Sequence, residues 1–336
     1  MENHSELPQE NNAGNDPSAE MPVIYPPKPP AEEPKSRAQV WLRSISSLAL
    51  YLAIGYYFFN QNWTLVLVLT GVVVFHELGH FLAMKFYNYT DLGIFFIPLV
   101  GAYASGKKRE VSQLQSSVIL LAGPVPGIII GIILQLTGQY FTDDPYQLHL
   151  LNNISWILIF LNLLNLLPIY PLDGGQLLNR LFLDSSQIIS KIFLFLSIGL
   201  LVWFALYGMD RPFYPLLVIP VFLLSRLVTD THYDKLTKKV EDEGFDLNTT
   251  YEEISDEDYW KIRNILIRNH SSLKDVAEAP PYEYSHKEEQ IKTLVQNLLQ
   301  RTILQDLSLT GKFIIILLWI ACFAAPVLVG MPLRFF

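Results

Sequence analysis

Apolar and polar residues fall in long alternating blocks along this chain. Apolar runs at 39–60, 63–86, 113–138, 152–169, 188–207, 211–228 and 312–332 are long enough, or nearly so, to cross a bilayer as helices. Gly or Pro interrupts the third and fourth. Residues 93–105, GIFFIPLVGAYAS, are apolar but too short and too rich in Gly and Pro for a helical span. They predict an extended hairpin or re-entrant segment, which membrane depth tolerates only where protein covers it or water reaches it. The polar block 229–311 predicts a small helical domain. Ser255–Asp258 opens one helix, running through Trp260, Ile262, Ile265 and Leu266. Ser285-His286-Lys287-Glu288 has the form of a capping box, followed by Ile291, Leu294, Val295, Leu298 and Leu299 at helical spacing, which predicts an amphipathic helix over 287–305.

The pattern predicts an all-α polytopic membrane protein with about seven transmembrane helices, a short membrane-embedded β element and a small helical cytoplasmic insert. Its parts are a disordered tail at 1–38, a membrane domain at 39–228, the insert at 229–311 and a last transmembrane helix at 312–336. Composition agrees: 51% of the 336 residues are hydrophobic and 17% charged, against about a quarter charged in a soluble domain. Residues 1–36 hold eight prolines and seven acidic residues, which reads as a disordered tail rather than a signal peptide. Within it, PPKPP at 26–30 is either a ligand for a proline-recognition domain or a solvated linker. The net charge of −8 gives no hint of nucleic-acid binding, and the single cysteine, Cys322, excludes an intramolecular disulfide or a multi-cysteine metal site.

Orientation follows from the basic residues. With seven spans and the N-terminus inside, the short inside segments hold ten Lys/Arg and the outside segments two, Arg211 and Arg334. The N-terminus and the 229–311 insert are therefore expected in the cytoplasm. The absence of a signal peptide and the short chain point to a bacterial cell membrane.

The second run contains His76-Glu77-Leu78-Gly79-His80. On a helix, positions i and i+4 share a face, so both imidazoles reach one ion with Glu77 beside them. Catalytic zinc takes three protein ligands and leaves a fourth position open to water, and Glu77 is placed to take that water's proton. Charged side chains at membrane depth cost roughly 2.5–3.5 kcal/mol each, and a dication offsets that cost. A third ligand is needed. His4, His232, His270 and His286 lie in tail or insert and His149 in a loop on the opposite face, which leaves a carboxylate. Asp173 stands out, in Asn165-Leu166-Leu167-Pro168-Ile169-Tyr170-Pro171-Leu172-Asp173-Gly174-Gly175. Its prolines end or kink the fourth helix, and the topology puts it in the same half of the membrane as His80.

HELGH in one span, with NLLPIYPLDGG ending a later one, resembles the site-2 protease family of intramembrane zinc metalloproteases. The likeness covers about residues 63–180. It implies a catalytic core made from the second, third and fourth spans, and one Zn2+ per chain on His76, His80 and Asp173. It implies Glu77 as general base and Asn165 as a group that holds substrate or stabilises the oxyanion. Segment 93–105 resembles the family's β element, which pairs with an unwound substrate strand, and this assigns substrate contacts to Gly101, Ala102 and Tyr103. Leu121-Ala122-Gly123-Pro124 resembles the family's Gly-Pro element. Three residues past that proline, where many members carry Asn, this chain has Gly127.

The activity so implied is hydrolysis of peptide bonds in transmembrane segments during regulated intramembrane proteolysis. The partners are single-span membrane protein substrates and the lipid bilayer, with no nucleic acid. Two other classes compete: a catalytically silent zinc-binding scaffold or adaptor, and a metal transporter. A scaffold has no chemical need for Glu77, and a transporter needs polar groups spread along a path rather than clustered at one depth. The amphipathic helix of the insert suggests that it regulates or recruits.

Overall fold

Each long apolar run folds as a helix, and polar side chains close the first turns. The computed structural model describes residues 25–31, 36–108, 111–183, 187–208, 211–247, 249–299 and 303–331. Of the tail expected to be disordered over 1–38, residues 1–24 and 32–35 lie outside these, as does Arg334, and the tail ends earlier than expected because α1 begins at Arg37. The Asn62 side chain accepts from the Leu65 N–H at the head of α2 (Trp63–Phe86), after α1 (Arg37–Phe58). Strands β1 (Thr90–Ile97), β2 (Gly101–Lys107) and β3 (Val111–Ser112) come next, then α3 (Gln113–Ala122) and α4 (Pro124–Thr137). Asp144 caps α5 (Pro145–Asn165), followed by α6 (Asp173–Leu178), α7 (Gln187–Tyr207) and α8 (Val218–Asp242). The chain continues with α9 (Asp256–Asn269), α10 (Glu288–Leu299), β4 (Ile303–Leu304) and α11 (Leu309–Leu328), the last capped by Ser308.

Among the described residues, six helical stretches are long and apolar enough to cross a membrane: Trp63–Phe86, Gln113–Tyr140, Pro145–Asn165, Ile188–Tyr207, Tyr214–Asp242 and Leu309–Leu328. The expected seventh, at 39–60, forms a helix but falls outside this set. Arg43, Ser44, Ser46 and Ser47 break its apolar character. One of these serines has a structural use: Ser47 Oγ accepts the backbone N–H of Phe96 at 3.2 Å, so α1 covers the outer side of β1. The third run bends at Gly123-Pro124 but continues as α3 and α4.

The apolar segment at 93–105 is the expected hairpin. β1 and β2 pair antiparallel, Ile97 opposite Gly101, Phe96 opposite Ala102 and Phe95 opposite Tyr103. Sequence-based boundaries fail at two places. Helix α8 runs on to Asp242, past the expected membrane edge at 228, because no Gly or Pro intervenes before Gly244. The amphipathic helix expected over 287–305 is described as Glu288–Leu299, and it does not reach 305, because Ile303–Leu304 pairs in parallel with Val111–Ser112.

The chain divides into two compact units, residues 1–30 with 254–295, and residues 31–253 with 296–336. In the second, larger unit, Leu120, Leu121 and Ile128 from α3 and α4 pack with Ile159, Leu163 and Leu166 from α5, Leu177 from α6 and Ile315 from α11. Trp319 of α11 donates its indole N–H to the Leu166 carbonyl at 2.9 Å. That bond satisfies a backbone acceptor at the end of α5, which a helix terminus leaves without a partner. Gly79 lets α2 and α3 touch: a Cβ there would lie 2.0 Å from the Ala122 carbonyl oxygen.

In the smaller unit, Ser255 caps α9 by accepting from the Asp258 N–H at 3.0 Å. Trp260, Ile262, Ile265 and Leu266 form its buried face, as the spacing predicts. Arg263, only 1% exposed, donates through Nε and Nη2 to both carboxylate oxygens of Glu288 at 3.0 Å. The Tyr259 hydroxyl donates to the same carboxylate at 2.7 Å, and the Ser285 backbone N–H at 3.1 Å, which realises the capping box. Residues 25–31 are not a free tail: Tyr25 to Pro30 lie against this unit.

Burial pushes the Glu288 carboxyl up, but its hydrogen bonds with Arg263 and Tyr259 outweigh that and hold it below its ordinary value of 4.5. A carboxyl lowered on folding contributes stability that is complete above its unfolded value and lost as the pH falls through its folded one. Hydrogen-exchange protection of α9, corrected for intrinsic rates, is expected to hold near neutral pH and decline below pH 4.5. Replacing Arg263 by Met leaves a buried unpaired carboxylate and is expected to cost this unit about 3–5 kcal/mol, read by the same exchange measurement. Changing exposed Lys274 to Ala should cost less than about 0.5 kcal/mol.

Candidate metal centre

Helix α2 places His76, Glu77 and His80 in the interior, at 5%, 5% and 7% exposure. Asp173 opens α6, after the prolines of the loop have ended α5 and turned the chain back. It brings one carboxylate oxygen to both imidazoles. His76 Nε2 lies 3.1 Å from Asp173 Oδ2, His80 Nε2 lies 3.3 Å from it, and the two Nε2 atoms are 3.0 Å apart. Three atoms at the corners of a tetrahedron around zinc stand about 3.3–3.4 Å apart when each ligand distance is about 2.0–2.1 Å. The observed triangle is close to that size.

The protonation of the rings is set from behind. His76 Nδ1 lies 2.7 Å from Asn162 Oδ1, and His80 Nδ1 lies 2.7 Å from the Ile119 carbonyl. Both partners accept. The identity of Asn162 Oδ1 is fixed by its Nδ2, which donates to the Leu158 carbonyl at 2.6 Å. Each Nδ1 therefore carries a proton, and in the neutral ring each Nε2 presents its lone pair. With both rings neutral, two lone pairs and a carboxylate oxygen converge. Asp173 Oδ2 and Glu77 Oε2 are buried and accept no hydrogen bond among the described residues. Buried acceptors facing one another repel unless a cation lies between them. His76, His80 and Asp173 are thus a fitted donor set for a divalent ion such as zinc.

Asn162 is the residue that sequence reasoning missed. It sits on α5, one turn before Asn165, and its carboxamide occupies the space beside Gly127. A Cβ at Gly127 would lie 2.2 Å from Asn162 Nδ2. Gly127 on α4 makes room for an Asn that reaches in from α5. Gly123 plays a similar spatial part for the second ligand, since a Cβ there would lie 2.4 Å from His80 Nε2. The signal available in the sequence was Asn162 itself, an amide in an otherwise apolar turn.

Around the triangle stand the other expected residues. Glu77 is next to His76 in the chain, and the backbone N–H of Ala104 in β2 meets its carboxylate. Asn165 Nδ2 is 3.5 Å from His76 Nε2, at the edge of the centre. Gly101, Ala102 and Tyr103 lie just before Ala104 on β2, paired with β1. Among the described residues no hydrogen bond joins their side chains or free edge to the four polar residues. The strand reaches the centre through Ala104.

Exchanging Asn162 for Leu keeps the volume and removes the acceptor behind His76. It is expected to weaken zinc binding about 10–100-fold, measured by competition with a chromophoric chelator. Unchanged affinity would mean that the His76 ring is oriented without Asn162.

Comparison with known proteins accords with this geometry. Residues 64–144 match the model of peptidase family M50, a stretch that contains His76, Glu77 and His80 but ends before Asp173. The chain is 32% identical over 154 residues to a zinc metalloprotease of Methanocaldococcus jannaschii, covering 43% of this chain and 44% of the relative. It is 27% identical over 117 residues to stage IV sporulation protein FB of Bacillus subtilis, covering 35% of this chain and 40% of the relative. The chain thus spans less than half the length of these curated relatives. The solved site-2 protease from Methanocaldococcus jannaschii aligns with 55% of this chain and 87% of its own, at 24% identity and a TM-score of 0.41. Residues 64–144 thus carry the match to peptidase family M50, and the similar proteins include ones named as a zinc metalloprotease and a site-2 protease.

Proposed function

We propose that this protein is an intramembrane zinc metalloendopeptidase that hydrolyses peptide bonds in the transmembrane segments of single-span membrane proteins, in regulated intramembrane proteolysis. The observation that carries the proposal is the pair of bare Nε2 atoms facing a carboxylate oxygen, with a second buried carboxylate, Glu77, beside them. One zinc per chain fits three ligands drawn from His76, His80 and Asp173. When bound there, zinc supplies a Lewis acid that polarises the scissile carbonyl and acidifies water.

The chain's own residues do the rest. Glu77 takes the proton of the attacking water and passes it to the leaving amine. Its free Oε2 is the acceptor available for that transfer. Asn165 Nδ2, at the rim, donates to the oxyanion that develops on the carbonyl. A helical substrate hides its amides in internal hydrogen bonds and must unwind before attack. In this sheet β2 has one strand partner, β1, whose far side α1 covers. The other edge of β2, along Gly101, Ala102 and Tyr103, holds the unwound strand by strand addition. Helix α1 serves as a seventh span despite its polar turns. The distribution of Lys and Arg supports a cytoplasmic N-terminus and insert, in a bacterial cell membrane. A catalytically silent scaffold would have no use for a buried carboxylate whose Oε2 has no hydrogen-bond partner among the described residues.

The test is cleavage of a single-span substrate in liposomes, with bound zinc quantified. Glu77→Gln is expected to retain about one zinc per chain and to lose activity by about 10²–10⁴-fold. If zinc binds and neither wild type nor variant cleaves any of a panel of substrates, the scaffold reading replaces this one. Asn165→Ala should lower kcat by about 10²–10³-fold with zinc content unchanged. A fall in zinc content instead would make Asn165 part of the metal's support.

A further inference from the structure

The proline-rich stretch at 26–30 has a partner within the chain. Trp260, Tyr282 and Tyr284 form an aromatic cradle on the smaller unit. The Trp260 ring is stacked on Tyr284 at 5.8 Å and 13°, and Tyr282 meets its edge at 5.4 Å. Arg263 lies over the same indole at 4.9 Å. Asn264 fixes the chain that delivers the two tyrosines, accepting the Ala279 N–H at 2.9 Å and donating to the Ala279 carbonyl at 2.8 Å.

Residues 25–30, Tyr-Pro-Pro-Lys-Pro-Pro, rest on this cradle, and their polar groups are matched one by one. The Trp260 indole N–H donates to the Pro26 carbonyl at 2.9 Å, and the Tyr284 hydroxyl donates to the Pro27 carbonyl. Pro26–Pro30 contains a single backbone N–H, that of Lys28, and it donates to Asp256 Oδ1 at 2.7 Å. The Lys28 ammonium donates to the Ile254 carbonyl. Pro29 is buried, and Tyr25 meets Tyr282 edge-on at 5.2 Å. Proline-rich segments are pre-extended, lose little entropy on docking and offer unpaired carbonyls, so aromatic grooves bearing N–H and O–H donors recognise them. Here those donors meet two successive carbonyls, Asp256 accepts the one backbone N–H that the five residues offer, and the Ile254 carbonyl accepts the Lys28 ammonium.

We propose that Trp260, Tyr282 and Tyr284, with Asp256, form a recognition site for proline-rich segments of the type Tyr-Pro-Pro-Lys-Pro-Pro, and that the chain's own residues 25–30 occupy it. The site is open at its rim, where Tyr284 is 54% exposed and Pro27 and Pro30 face solvent. A segment of the same chemistry supplied in trans competes for it once the internal segment is released. The N-terminal region and the 254–295 unit are thereby latched together by a non-covalent contact that a proline-rich partner opens.

The test uses the full chain in detergent and a fluorescein-labelled peptide with the sequence of residues 25–30, read by fluorescence anisotropy. Lys28→Glu combined with Pro29→Ala releases the internal segment without touching the cradle. This variant is expected to bind the peptide, and wild type to bind it at least tenfold more weakly. In the released background, Trp260→Phe keeps a ring but removes the N–H, and should weaken the peptide at least fivefold. The same peptide carrying Lys28→Glu should not bind, a control that leaves the protein unaltered. No binding to the released variant, or equal binding of both peptides, would overturn the site. Equal binding to wild type and released variant would overturn its occupation by residues 25–30.

Discussion

Three atoms able to act as metal ligands are held together inside an apolar bundle, and the rest of the larger unit is arranged around that cluster. His76 Nε2, His80 Nε2 and Asp173 Oδ2 lie 3.0–3.3 Å from one another. Left to itself such a group would separate or take up protons. It is kept closed by hydrogen bonds on the far side of each ring, to Asn162 and to the Ile119 carbonyl. These fix which nitrogen is bare. The elements that supply them, α3 and α5, are the ones whose apolar side chains fill the main core. Packing energy is thus spent on presenting a cation site, and a dication is what turns the repulsion into a bond.

Close approach of helices is the means. Side-chain amides and imidazoles need several ångströms of room, and at Gly123 and Gly127 that room is made by the absence of a Cβ. In the second case the support comes from the neighbouring helix. The void on α4 and the amide on α5 are complementary, so neither is informative without the other. The end of α5 is held in the same spirit: Trp319 from α11 ties off the Leu166 carbonyl, next to the turn that carries Asp173 into place.

The hairpin and α1 share a different logic. A two-stranded sheet has two edges, each with unpaired backbone groups that apolar surroundings penalise. Ser47 covers part of one. One of the polar residues that interrupt the apolar run of α1, Ser47, therefore pairs with backbone that would otherwise be orphaned. The smaller unit meets the same demand with a buried ion pair. Arg263 and Glu288 are removed from water, and the bidentate contact with added bonds from Tyr259 and Ser285 keeps every charge matched.

The sequence by itself determined the helical runs, the hairpin at 93–105, the HELGH face and the choice of Asp173, because each is written in local spacing or in the cost of an ionisable group at membrane depth. It marked the end of the apolar run of α8 but not the end of the helix, since hydropathy changes at 228 while the helix needs a breaker, which comes only at Gly244. Only the tertiary structure decided that Asn162 stands behind His76, that Ser47 covers β1, that Ile303–Leu304 pairs with Val111–Ser112, and that residues 25–30 lie on Trp260 rather than in solvent. Each of these joins residues with no shared period or neighbouring position. Their partners are set by which surfaces the packed helices bring within hydrogen-bond reach, and that distance is not encoded in any local pattern.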